Sequence, residues 1–237
     1  VMNPILNRGI HYHVAMTNVY GGLPGGSSPI ASITLAATGG IAISNVGTSQ
    51  VWVTEPNGSE LFWCGCVPVV THITSAEPLP TLLCHPPLPM ENICYAFGRM
   101  WGSRQTRLYY SEPLRPDLWR DSDNFFEFGQ DITLVARAAN GLFVGGETAT
   151  FSLLGKRPEE MVQTPVGPGS IRGSLCYADS MPTLDNTISP EEKVHNSVPL
   201  WLTTEGFVLG NTAGRLFNLT ASRLDVKPQT ARAATIA

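Results

Sequence analysis

Five carboxylates crowd one short stretch of the chain: Asp117, Asp121, Asp123, Glu127 and Asp131. Paired carboxylates roughly 5–10 Å apart can work as acid and base on a glycosidic bond, so this stretch is the most function-like in the sequence. Asp121, Asp123 and Asn124 also match the opening of a calcium-binding loop. The match fails at Phe126, where that loop needs Gly, and at Ile132, where it needs Glu. An exposed loop between β elements accounts for the same residues. A second set, Cys64, Cys66, His72, Cys84 and His85, has the residue types of a zinc site but not the two-to-four-residue knuckles that structural zinc sites use. His11 and His13 fall on one face of an alternating segment and read as a surface or interface pair. Ser111 follows a strand-like run, with no base in view to activate it. No phosphate-binding loop, dinucleotide fingerprint or nucleophile elbow occurs. The residues therefore suggest no catalytic, cofactor-binding or metal-binding set, and the chain is not expected to be an enzyme.

Composition narrows the remaining classes. Charged residues make up 14% of the 237, and the net charge is −4. The charge is the wrong sign for a duplex-binding footprint. It suits a surface that DNA slides past without specific binding. No run of 18 apolar residues is present, so no membrane span is expected. The N-terminus shows no charged region followed by an apolar core, so no signal peptide is expected, and the sequons at Asn57 and Asn218 are read as chance. Val1 preceding Met2 fits a fragment or a processed product. Five cysteines at irregular spacing read as reduced thiols rather than a disulfide framework. Gly (23) and Pro (19) are plentiful, as many short strands joined by tight turns would require.

The elements that would position these residues are strands throughout. Residues 11–18, 30–35, 41–44, 51–54 and 61–64 alternate or run apolar between Gly-, Pro- and Asn-rich turns. Residues 1–66 therefore read as a small antiparallel, fibronectin-like β-sandwich segment. Residues 67–92 are proline-rich and read as a connector wrapping a surface. Beyond it lies an internal repeat: strand, Gly, apolar strand, Gly, strand. The leading glycines are Gly98, Gly141 and Gly206, spaced by 43 and then 65 residues. A period near 40–50 with three or four strands per unit predicts β-propeller-like blades over 93–226, with an insertion at 155–190. A plain β-sandwich is the alternative. Three blades do not close a ring. The 51–66 hairpin, blades outside this sequence, or other subunits would complete it. Trp63, Trp101, Trp119, Phe125, Phe126 and Trp201 read as blade core, with a sugar-stacking platform as the alternative. Residues 227–237 read as a flexible tail.

The runs Leu108–Trp119, Asn124–Thr133, Gly141–Gly145 and Phe151–Gly155, with Thr54–Gly58 upstream, resemble virion proteins of tailed bacteriophages, those of the propeller-bearing tail tube, nozzle and hub type. Gly146-Glu147 stands where that family usually has Thr. The resemblance spans roughly residues 10–220. It implies a structural component of a phage tail, hub, nozzle or head–tail connector. Such a protein is assembled in the host cytoplasm into the virion as a ring or symmetric oligomer. Its partners would be copies of itself and other virion proteins, met through the 67–92 connector and the 155–190 stretch. A glycan-binding or glycan-hydrolysing propeller, with Asp117–Asp131 and Trp119 in its site, is the alternative function.

Overall fold

The computed structural model describes residues 6–178 and 198–220. The tail at 227–237 and the last part of the 155–190 stretch lie outside the described residues. Nearly every element is a strand, and the helical turn among the described residues is the single 3-10 turn Pro158–Glu160. No described helix is long and apolar enough to cross a membrane. The chain forms two compact units. One holds residues up to Leu88 together with Ser111–Asn124, and the other holds Pro89–Tyr110 and the residues from Phe125 onward.

The first unit contains β1 (His11–Tyr20), β2 (Leu23–Ser27), β3 (Ala31–Thr34), β4 (Ile41–Ala42), β5 (Gln50–Thr54), β6 (Leu61–Gly65) and β7 (Val69–Val70). The sheet runs β2-β1-β5-β6, with β3 also paired to β1, and β4 pairs with β7 apart from it. Successive side chains of a strand point to opposite faces. Tyr12 and Val14 of β1 and Val51 and Val53 of β5 thus share one face, and they pack with Leu35, Ile41, Val46 and Val70. That places the short β4–β7 ladder over the main sheet as a small two-layer sandwich. The other face buries Ala15, Trp52, Leu61 and Leu79, and the Trp52 indole N–H donates to Thr17 Oγ1 at 2.9 Å. In the β5–β6 hairpin, Asn57 supplies the left-handed turn residue with φ +56.

Residues 67–88, read from the sequence as connector, belong to this first unit. They strap its edge: Thr81 Oγ1 donates to the carbonyl of Gly25, and the Ser27 N–H donates to the carbonyl of Cys84. Residues 111–124, read from the sequence as part of the later β domain, also fold here as β11 (Arg115–Trp119) and its flanks. His85 and Trp119 exchange backbone hydrogen bonds of 2.9 and 3.0 Å.

The second unit is a succession of small antiparallel sheets of the kind that make propeller blades. The first sheet has β8 (Glu91–Ala96), β9 (Arg99–Arg104) and β10 (Arg107–Glu112), with β12 (Phe125–Glu127) paired to Arg107–Tyr109. The second runs β13 (Ile132–Ala138), β14 (Gly141–Gly146), β15 (Ala149–Leu154), β16 (Val162–Pro168). The third runs β17 (Cys176–Ala178), β18 (Val198–Thr203), β19 (Gly206–Gly210), β20 (Leu216–Asn218). The three glycine-bracketed repeats are thus three strand triplets, each in its own sheet. In the first two sheets the triplet is strands one to three. In the third it is strands two to four, because β17 precedes it. The stretch read as an insertion therefore contributes β16 and β17.

A sheet this small leaves two apolar faces, and stacking hides them. Trp101 and Leu108 of the first sheet pack with Ile132, Val135, Leu142, Val144 and Leu153 of the second. Leu134, Ala136 and Phe143 pack in turn with Trp201 and Val208 of the third. The bracketing glycines have two causes. Gly98, with φ +73, closes the β8–β9 turn. Gly210 lies against the Phe143 ring, where a Cβ would collide.

Candidate functional site

The acidic residues fall in both units, and three of them have partners of their own. Asp117 takes two hydrogen bonds from Arg115, at 3.0 and 2.8 Å, and the same guanidinium donates to the carbonyl of Pro24. The guanidinium beside Asp117 holds its carboxyl below the ordinary value. Asp121 lies 3.1 Å from Nε2 of His85, whose Nδ1 is 2.7 Å from the carbonyl of Pro86. Glu127, in the second unit, accepts hydrogen bonds from Thr106, in the turn before β10, and from Arg107 of β10, and these lower its carboxyl. Each of these three acids is thus matched to a donor or base of its own.

The cysteine and histidine set is not gathered either. Cys64 is buried, and burial pushes its thiol up to about 11. Cys66 is exposed, and the Cys84 sulfur accepts from Arg120 Nε at 3.5 Å. His72 lies 3.0 Å from Thr71 Oγ1. Among the described residues, no three His, Cys, Asp or Glu side chains are placed to hold a metal ion. His11 and His13 do share a face. On alternate rungs of β1 their Nδ1 atoms sit 2.7 Å from Thr34 Oγ1 and 2.8 Å from Ser32 Oγ on β3. Ser111 is fully buried, and its hydroxyl donates to the carbonyl of Glu112. Trp101, Trp119 and Trp201 are core, whereas Trp63 is 37% exposed.

The second unit brings together residues that sequence spacing had not linked. The first strands of the three sheets, β8, β13 and β17, meet at Cys94, Arg137 and Tyr177. The Tyr177 hydroxyl accepts a hydrogen bond from the Arg137 N–H at 2.8 Å and lies near the Cys94 thiol. Burial of the hydroxyl pushes Tyr177 up to about 12 although the ring itself is part-exposed, and burial also raises Cys94. Raised thiol and phenol values keep both groups protonated at neutral pH, the opposite of an activated nucleophile. What this region offers is surface. β8 is an edge strand, and its alternation turns Cys94 and Ala96 toward the core and leaves Ile93 at 63% and Tyr95 at 53% exposed. An edge strand with outward apolar side chains is a template for pairing with another chain. A β-bulge between Glu91 and Cys94 is the local irregularity on that edge.

No family model and no curated protein matches the chain. Among solved structures, a crystal structure of BBS1N in complex with ARL6DN, soaked with mercury, is similar over 79% of this chain and 56% of that chain, at TM-score 0.33 and 11% identity. The same complex soaked with lead is similar over 91% and 57%, at TM-score 0.33 and 10% identity. The chain thus spans a little over half the length of those solved chains. The fold stands on the sheets described above.

Proposed function

We propose that this chain is a structural component of a tailed-phage virion, acting through protein–protein assembly in the tail, hub, nozzle or connector. The observation that carries assembly is the β8 edge, where Ile93 and Tyr95 face solvent at the end of a stack of blade-like sheets. The phage assignment rests on the run from Leu108 to Gly155 and its likeness to propeller-bearing virion proteins. The partners are copies of this chain and other virion proteins, and the place of action is the particle. The net charge of −4 suits passage of DNA without specific binding. A glycan platform would need an exposed Trp beside the acids, and Trp119 is 4% exposed.

Mass spectrometry and density maps of purified particles test this reading. The expected result is the chain at fixed stoichiometry in intact virions, with Ile93→Glu plus Tyr95→Glu blocking incorporation of a folded chain. Particles that lack the chain, and form without it, would overturn the proposal.

A further inference from the structure

A cleft of about 520 Å³ opens in the first unit between the end of β2 and the strap at 82–88, with Asp121 in its wall. Its apolar walls face solvent: Leu83 is 73% and Ile30 49% exposed, and Pro29, Pro86 and Pro87 are exposed beside them. Its polar groups are held in place. Two backbone hydrogen bonds with Trp119 fix His85, and the strap lies so close to Gly26 that a Cβ there would collide with the backbone of His85 and Pro86. His85 Nδ1 is 2.7 Å from the carbonyl of Pro86. A carbonyl only accepts, so Nδ1 carries a proton, and the neutral ring turns Nε2 outward as an acceptor. That nitrogen takes the Asp121 N–H at 3.3 Å and faces Asp121 Oδ1, a second acceptor, at 3.1 Å. The hydroxyl donors of the lining are spent, Ser27 on the carbonyl of Cys84 and Ser28 on that of Pro29. Arg120, next in sequence to Asp121, is drawn off to Glu112 and the Cys84 sulfur. Beside a neutral His85, the Asp121 carboxylate thus has no cation of its own among the described residues.

We infer that this cleft takes a lysine or arginine side chain from an extended segment of a partner protein. Its cationic N–H groups are shared between Asp121 Oδ1 and His85 Nε2, and apolar residues beside it lie on Leu83 and Ile30. Charge and hydrogen-bond polarity select the occupant: two convergent acceptors call for donors, and the carboxylate calls for a cation. The wall formed by Leu83, Ile30 and the three prolines offers more apolar surface than one alkyl stem covers, which selects a segment over a free amine. Because the acceptors are already fixed, little ordering cost falls on this side of the contact. The inference goes beyond the assembly reading above and stands whether or not the chain is found in virions.

Calorimetric titration of the full chain with acetyl-Leu-Lys-Leu-amide tests it. The expected result is saturable binding that drops roughly tenfold or more when Gln replaces Lys in the peptide, and drops as far in Asp121→Asn with the lysine peptide. Leu83→Lys sets a like charge in the wall and should weaken the lysine peptide too. Both positions are exposed, so melting temperatures level with the wild type are expected and show that the variants are folded. Equal affinity for the two peptides, binding that ignores Asp121, or no saturable binding at all would overturn the inference. n-Butylamine binding as tightly as the lysine peptide would overturn the partner segment in favour of a small amine. A chain present in virions that fails these titrations keeps the assembly reading and loses this one.

Discussion

The hydroxyl of Tyr177 accepts the backbone N–H of Arg137 at 2.8 Å, which fastens the first strand of the third sheet to the first strand of the second. The contact joins residues 40 positions apart and is held by a single side chain. Tyr177→Phe leaves that N–H without its acceptor and should lower stability by about 0.5–1.5 kcal/mol in urea unfolding. The same substitution alters the alkaline limb. Tyr177 is raised from 10.0 to about 12, so the folded state disfavours the phenolate. Its contribution is complete below pH 10 and is lost as the pH rises from 10 to 12. Melting curves across that window should fall less steeply in Tyr177→Phe than in the wild type.

Cys64 gives a second and earlier alkaline signal. Burial raises its thiol from 9.0 to about 11, so stability from this site is present below pH 9 and is lost as the pH climbs toward 11. Cys64→Ala should flatten the pH 9–11 portion of the curve. It should also cost roughly 1–2 kcal/mol at pH 7, because the sulfur packs in the sandwich core with Tyr12 and Val53. An unchanged alkaline slope would show that the thiol is not desolvated.

The acid limb reports on Asp117. Arg115 lowers its carboxyl, so the pair contributes above the ordinary value of 3.8 and is lost as the pH falls through the depressed one. Asp117→Asn should reduce stability at pH 7 by about 1 kcal/mol or less, the range of a partly exposed pair, and the loss should vanish in strong acid. Urea midpoints at pH 7 and pH 2 measure both ends.

Two tryptophans on second strands differ in one respect. The Trp101 indole N–H donates to the carbonyl of Ala96 at 3.1 Å, whereas the buried Trp201 indole N–H has no hydrogen-bond partner among the described residues. Trp101→Phe removes volume and a hydrogen bond. Trp201→Phe removes similar volume together with an unpaired donor. The first should therefore cost about 1 kcal/mol more than the second in matched denaturation curves. Equal costs would mean that Trp201 finds an acceptor.

Gly210 tests the stacking of the second and third sheets. A methyl group there runs into the Phe143 ring, so Gly210→Ala should destabilise by about 1–3 kcal/mol through overpacking. Phe143→Leu in the same chain should recover part of that loss, since it withdraws the clashing ring edge. Additive effects would place the two residues apart.

Strand content was legible because alternation and turn residues are local signals. Val51–Val53 and Leu61–Cys64 around Asn57, and the strand triplets that contain Gly98 and Gly141, appear where those signals predict them. β16 was hidden, because its sequence VQTPVGP holds two prolines and a glycine, and it stands at a sheet edge where proline is tolerated. β17 was too short to show a period. The division into units was hidden as well. Residues 111–124 begin inside β10, and only tertiary pairing, such as that of Trp119 with His85, assigns them to the first unit. Side-chain neighbourhoods followed the same rule. The His11–His13 face came from a period of two, whereas His85 beside Asp121 and Tyr177 beside Arg137 are long-range facts that no spacing encodes.

The first unit is built from two separated lengths of chain, and this has a consequence for biosynthesis. A ribosome that has made residues up to Leu88 has not yet supplied Trp119, whose backbone closes the ladder on His85. Nascent sandwich strands must therefore wait while β8, β9 and most of β10 emerge. A stop codon at 89 should yield a product that chaperones retain and proteases clear, while extension past Asn124 should release a protease-resistant fragment.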